Sequence, residues 1–215
     1  MIKIAASTLA ADSSKLEEEF NRVEEAGVDL LHLDVMDGKF VPNNALGFEE
    51  IEAVRKNTEL PFDIHLMIAE PEKNIERYLE FSPHYLSFHL EATSNAEELI
   101  ELIKGKEVKV GVAVNAPSNI EEVFPFLGEL DFVLVMSVNA GFSGQKFLEN
   151  SVKKISELRK KIDEENLKVE IEVDGGINEE NVKKVIDAGA NIIVSGSTIF
   201  NSKDLKETIN KLRGK

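Results

Sequence analysis

Four polar side chains stand inside otherwise apolar runs: His32 and Asp34 in Leu30-Leu31-His32-Leu33-Asp34-Val35, His65 in Asp63-Ile64-His65-Leu66-Met67, and Asp174 in Glu172-Val173-Asp174. His32 and Asp34 are two residues apart, so on an extended strand they project from the same face. Leu31, Leu33 and Val35 take the opposite face. Imidazoles and carboxylates on an inward face are costly to bury without partners. They can satisfy one another as a His–Asp hydrogen-bond network, or they can hold a divalent cation. A single histidine would favour the network. Four groups drawn from three strands favour an ion, and their mixed nitrogen and oxygen donors suit zinc, iron, manganese or cobalt.

Two further residue types are placed unevenly. Apart from Met1, the only methionines are Met36, Met67 and Met136, each expected just past the end of a strand. They are either plain core filler or a soft apolar collar that keeps water from the ion. Position alone leaves both open. Glycines cluster in Gly141-Phe142-Ser143-Gly144, in Gly175-Gly176 and in Gly196-Ser197. One such pair is commonly just a tight turn. Three loops of this kind on neighbouring strands favour an anion site, because glycine lets backbone N–H groups approach a phosphate closely.

The elements that must position these residues alternate along the whole chain. Strands are expected at about 2–8, 29–35, 62–67, 84–89, 108–114, 131–137, 168–174 and 191–195. Amphipathic helices are expected at about 14–26, 48–57, 72–80, 95–104, 119–127, 150–165, 179–188 and 202–213. Ser14 with Glu17, Ser94 with Glu97 and Ser118 with Glu121 read as capping boxes, while Gly27 and Gly189 close helices in a left-handed turn. The segment 25–31 resembles 187–193, both at a helix-to-strand junction. Eight strand–helix pairs imply a parallel sheet closed into a single-domain (β/α)8 barrel over residues 1–215; an open doubly wound sheet would need only five or six strands. In such a barrel the strand C-termini form the active face, and the four polar groups, the methionines and the glycine loops all fall there.

Composition narrows the function classes. A net charge of −15 argues against a nucleic-acid groove or an anionic membrane surface, though local N–H groups can still bind phosphate. The absence of cysteine excludes disulfide and thiolate chemistry. No apolar run approaches the roughly 18 residues of a membrane helix. Met1-Ile2-Lys3-Ile4 opens without a signal-peptide pattern, so a cytoplasmic protein is expected.

With these residues in view, nearly the whole chain resembles the ribulose-phosphate 3-epimerases. The matching stretches are 6–12, His32 to Asn43, 63–67, Met136 to Gln145, 172–176 and 195–197, of which the second and fourth are long and specific. The resemblance implies one divalent ion held by His32, Asp34, His65 and Asp174, with Asp34 and Asp174 as the proton-transfer groups. It implies substrate contacts from Ser7, His65 and Asp174, and a phosphate pocket of Gly141, Phe142, Ser143, Gly144, Gly175, Gly176, Gly196 and Ser197. It also implies a methionine cap of Met36, Met67 and Met136. Members are often dimers or hexamers. The chain departs from the family at Ala6 and Ala140, where proline is usual, and at Ser143, where glycine is usual. Those changes bear on affinity or substrate range rather than on reaction type.

The implied reaction interconverts D-ribulose 5-phosphate and D-xylulose 5-phosphate, a step of the pentose phosphate pathway. One carboxylate, Asp34, removes the C3 proton, and the other acid, Asp174, returns one to the opposite face through an enediolate. The alternative is the same chemistry on a six-carbon ketose phosphate such as D-allulose 6-phosphate. A Schiff-base aldolase is disfavoured because Lys3, Lys109 and Lys168 all sit at strand N-termini. A hexulose-phosphate synthase would resemble Asp-x-Lys-x-x-Asp, whereas His65 occupies the lysine position here. A decayed sugar-phosphate sensor should have lost a ligand or an acid, and none is missing. His84 is expected at a surface junction, and His89 either behind the site or as a satisfied polar neighbour.

Overall fold

A computed structural model describes residues 1–142 and 144–215; Ser143, expected in the phosphate pocket, lies outside the described residues. Among these residues eight parallel strands close on themselves: β1 (Lys3–Ser7), β2 (Leu30–Asp37), β4 (Phe62–Met67), β5 (Tyr85–His89), β6 (Lys109–Val114), β7 (Phe132–Met136), β8 (Glu170–Asp174) and β9 (Ile192–Ser195). Closure is the pairing of β1 with both β2 and β9. A two-residue strand, β3 (Asn44–Ala45), adds antiparallel to the outer end of β2. The helices are α1 (Leu16–Glu25), α2 (Phe48–Arg55), α3 (Ile75–Leu79), α4 (Ala96–Lys104), α5 (Asn150–Glu164), α6 (Val182–Asp187), α7 (Ser197–Phe200) and α8 (Leu205–Leu212).

Period-two alternation divides the core in two. Leu31, Leu33, Val35, Ile64 and Leu66 pack outward with helix residues such as Phe20, Ile51 and Leu99. Ala5, Met67, Tyr85, Leu134 and Val194 belong to the inner cluster. Gly111 faces Phe132 so closely that an added Cβ would lie 2.2 Å from its ring, so the aromatic fills the space a larger residue would claim.

The N-terminal end of the barrel is stopped by polar and aromatic groups. The Tyr85 hydroxyl donates to Glu170 Oε2 at 2.7 Å, and Lys3 Nζ donates to both Tyr85 Oη and Glu170 Oε1 at 2.7 Å. The Phe132 ring meets Tyr85 edge-on at 5.1 Å. The same end carries a repeated register clasp. A side-chain oxygen of Asp29, just before β2, accepts the N–H of Ile4 at 2.7 Å. Asp131 before β7 does this for Val110, and Asn191 before β9 for Ile171, each at 2.9 Å. Asp29 and Asn191 are equivalent positions of the internal repeat.

Three local expectations need correction. Lys15 and Asn95, neither with a side-chain cap bond, precede α1 and α4, and Ser14 instead binds Asp12. The third capping box exists one residue later, as Asn119 with Glu122. The helix it starts is a 3-10 helix, Ile120–Glu129, containing Pro125. Proline has no N–H to give to the carbonyl four residues back, and its ring clashes there, so an α-helical continuation is disfavoured. The expected helix 72–80 is split into Pro71–Lys73 and α3, because Asn74 leaves helical geometry at φ −132°. Gly27 and Gly189 do close their helices at φ 92° and 117°.

Candidate functional site

β2 and β4 pair in a register that sets Asp34 beside His65, and β8 brings Asp174 to the same mouth. One donor atom from each of His32, Asp34, His65 and Asp174 lies within 4.8 Å of the other three. His32 Nε2 is 3.3 Å and His65 Nδ1 3.2 Å from the same oxygen, Asp34 Oδ1. The other Asp34 oxygen accepts from Ser7 Oγ at 2.9 Å. Both imidazoles are fully buried.

Each imidazole is held from behind. His32 Nδ1 lies 2.5 Å from Asp63 Oδ2 and 3.6 Å from Glu172 Oε1, one layer deeper in the barrel. Among the described residues its Nε2 has no hydrogen-bond partner, and it faces the cluster. His65 Nε2 lies 2.9 Å from His89 Nε2, leaving Nδ1 toward Asp34. Sequence reasoning missed Asp63 and Glu172. The signal was present, because each stands two residues before a cluster member and so shares its strand face. His84 is exposed at the opposite barrel end, as expected.

Burial and charge set the protonation states. Burial works to raise the Asp34 carboxyl, but His32 and His65 outweigh it and hold Asp34 below the ordinary carboxylate range. Burial, joined by the negative charge of Asp34, pushes Asp174 up to about 7. Burial and the charge of Asp63 push Glu172 well up. Burial pulls His65 down to about 4, which keeps it neutral. For His32 burial opposes the imidazolium, yet Asp63 and Asp34 prevail and raise it well above its usual value. An environment this negative around a buried nitrogen favours a cation. With two nitrogen and two carboxylate donors converging and His32 Nε2 unpartnered, the residues fit a divalent metal ion.

Above the cluster is a cavity of about 170 Å³. Ser7, Asp34 and Asp174 line it, as do Met36, Met67 and Met136, which are the final or penultimate residues of their strands rather than lying past them. The three glycine-bearing loops supply one wall through Gly141, Phe142, Gly144, Gly175, Gly176, Gly196 and Ser197. Residues missed from the sequence, including Asn139, Gln145, Asn178 and Thr198, complete it. Among the described residues no lysine or arginine lines the cavity, so N–H groups and hydroxyls are what can meet an anion there.

Gly175 and Gly176 are required by their backbone. Their φ angles are 123° and 66°, and an added Cβ would lie 2.5 Å from Val138 or 2.7 Å from the backbone of Gln145 and Phe147. The Ser137 hydroxyl donates to the Asp174 and Gly175 carbonyls at 2.9 and 2.7 Å, fixing this turn to the end of β7. Gln145 Nε2 donates to the carbonyls of Asn139 and Phe142 at 2.6 and 3.0 Å, bracing the neighbouring loop.

Residues 3–200 match the Ribulose-phosphate 3 epimerase family. The chain is 44% identical over 215 residues to the ribulose-phosphate 3-epimerase of Bacillus subtilis, covering 100% of this chain and 99% of that one. It is 42% identical to the chloroplastic ribulose-5-phosphate-3-epimerase of Arabidopsis thaliana, covering 99% and 76%. The Methanocaldococcus jannaschii ribulose-phosphate 3-epimerase is also 42% identical, with coverage of 99% and 90%. Among solved structures, KGPDC from Streptococcus mutans superimposes with a TM-score of 0.71 at 12% identity, covering 100% of this chain and 96% of that one. The 3-hexulose-6-phosphate synthase of Salmonella typhimurium gives 0.69 at 17% identity, covering 99% and 97%. Likeness at that level speaks for the shared barrel alone.

Proposed function

The chain belongs to the ribulose-phosphate 3-epimerase family, and on that footing we propose that it interconverts D-ribulose 5-phosphate and D-xylulose 5-phosphate by moving a proton at C3. The observation that carries the reading is geometric: two carboxyl groups, Asp34 and Asp174, from strands separated around the barrel converge with two imidazoles at one cavity. A carboxyl group on either side of a bound substrate can serve as base and acid in turn.

Asp34 takes the C3 proton from D-ribulose 5-phosphate, and Asp174 delivers one to the opposite face; in reverse the roles exchange. The Ser7 hydroxyl, 2.9 Å from Asp34 Oδ2, orients the base. His32, Asp34, His65 and Asp174 would hold one divalent ion, zinc, iron, manganese or cobalt, which when bound would supply positive charge against the charge developing on the ketone oxygen. The phosphate sits against Gly175, Gly176, Gly196 and Ser197, where backbone N–H groups can meet it despite the acidic surface. Met36, Met67 and Met136 keep water from the reacting carbons, which lowers the local dielectric around the acids. Residues 1–215 act as one catalytic domain, and its setting is the cytoplasm.

The test is epimerisation of D-ribulose 5-phosphate, before and after chelation and after readdition of each metal. Activity that vanishes with chelator and returns with metal supports the reading. A folded, metal-loaded protein that leaves D-ribulose 5-phosphate unchanged overturns it and directs attention to six-carbon ketose phosphates.

A further inference from the structure

His65 is backed by a chain of groups that does not reach the cavity. His65 Nε2 and His89 Nε2 lie 2.9 Å apart, and both rings are fully buried. Between two neutral imidazoles joined nitrogen to nitrogen, one atom carries the proton and the other accepts it. Which one is decided at the far side of His89, whose Nδ1 lies 3.3 Å from Glu91 Oε2.

Glu91 is fixed in turn by the loop after β6. Its Oε1 accepts the backbone N–H of Asn115 at 2.8 Å and the hydroxyl of Ser118. Burial would raise this carboxyl, but the donors from His89, Ser118 and Asn115 outweigh it and pull it down to about 2. An ionised carboxylate can only accept, so His89 Nδ1 bears a proton, and in the neutral ring its Nε2 is then the lone pair. His65 Nε2 must then donate to it, and His65 Nδ1 is left as the basic nitrogen facing Asp34. The Phe40 ring lies over His89 at 4.8 Å between centroids and shields the pair.

We propose that His89 and Glu91 are positioning residues that set His65 as its Nδ1-basic tautomer and thereby raise the divalent-cation affinity of the cluster. The inference rests on the metal reading above. Groups behind a ligating histidine commonly contribute about 10- to 100-fold to metal affinity.

The polarity of the chain gives a test that a packing role would not pass. Asn115 offers an N–H that cannot become an acceptor, so in Glu91→Gln the amide oxygen stays with the loop and the amide nitrogen turns to His89. That nitrogen donates to His89 Nδ1, moves the proton to His89 Nε2, and forces His65 to carry its own proton on Nδ1, facing the cluster. Glu91→Ala only removes the bias. Zinc dissociation constants, measured by competition with a chromophoric chelator, are therefore expected to weaken about tenfold or more in Glu91→Gln, and less in Glu91→Ala. Long-range nitrogen–proton NMR of the metal-free wild-type protein should show His65 protonated at Nε2 and His89 at Nδ1. Zinc binding in Glu91→Gln equal to wild type or tighter than in Glu91→Ala, or a wild-type His65 protonated at Nδ1, would overturn the relay. A wild-type protein that binds no zinc, manganese or cobalt overturns the metal reading instead, and the NMR result still decides the tautomer.

Discussion

Asp34 and Asp174 stand on strands separated by β1 and β9 around the barrel, yet a carboxylate oxygen of each lies within 4.8 Å of the other. Held that close in a buried site, two carboxyl groups resist ionising together. The imidazoles settle which one ionises, because His32 and His65 contact Asp34 Oδ1.

Replacing either acid should therefore separate the two halves of the reaction. Asp34→Asn and Asp174→Asn are each expected to lower turnover by about 10²- to 10⁴-fold. Asp174→Asn should still exchange the C3 hydrogen of D-ribulose 5-phosphate with deuterated water, through Asp34, without inverting the carbon. Proton NMR of substrate recovered from D2O would reveal this; equal loss of exchange and inversion would count against the assignment of Asp34 as base.

Metal loading should expel protons. Asp174 is raised to about 7 in the folded metal-free protein, against an ordinary value of 3.8. Across that window the folded state holds a proton that the unfolded chain has released. This group's contribution to stability is thus present at low pH and is lost as pH rises toward 7. An ion binding at pH 6 must displace the protons of both Asp174 and His32, so affinity rises with pH through about 7. Calorimetry in two buffers of different ionisation enthalpy measures the release; none at pH 6 would contradict the protonated Asp174.

Gly176→Ala should damage recognition of the phosphate more than proton transfer. The residue sits at φ 66°, and its Cβ would lie 2.7 Å from Gln145 O and Phe147 N. A left-handed non-glycine residue costs about 1–2 kcal/mol, which corresponds to about tenfold in affinity. KM is expected to rise by at least that factor, with a smaller change in kcat. Steady-state kinetics with D-ribulose 5-phosphate decide it.

At the other barrel end, Asn191→Ala should destabilise without slowing catalysis. It removes the acceptor for the Ile171 N–H and a 2.7 Å partner of Arg159. A backbone donor left unpaired costs about 1–3 kcal/mol. Urea denaturation should report that loss while kcat stays unchanged.

The barrel was legible because alternating apolar runs mark each strand, and the expected strand bounds differ from the observed ones by at most two residues. The cluster was legible for the same reason: the two-residue spacing of His32 and Asp34 survives into the structure because β2 is extended through both. Applied to Asp63 and Glu172, that spacing would also have found the carboxylates beneath His32. Glu91 was out of its reach, since it lies in the 3-10 turn Leu90–Ala92, where side chains no longer alternate. Its partnership with His89 depends on Asn115 and Ser118, 24 and 27 residues away. Helix starts were least legible, because serine, asparagine and aspartate compete for the same few N–H groups over a span of two or three positions.

Tyr85, Phe132, Lys3 and Glu170 close the N-terminal end of the barrel, and among the described residues the cavity lies at the opposite end, among the loops that follow the strands. Whatever is made inside must leave past the threshold its precursor crossed. Pentulose phosphates of either configuration at C3 therefore queue for the same opening, and each obstructs the other in proportion to its concentration. The direction of net flow is set outside the chamber, by the ratio of the two sugars relative to the equilibrium constant of their interconversion.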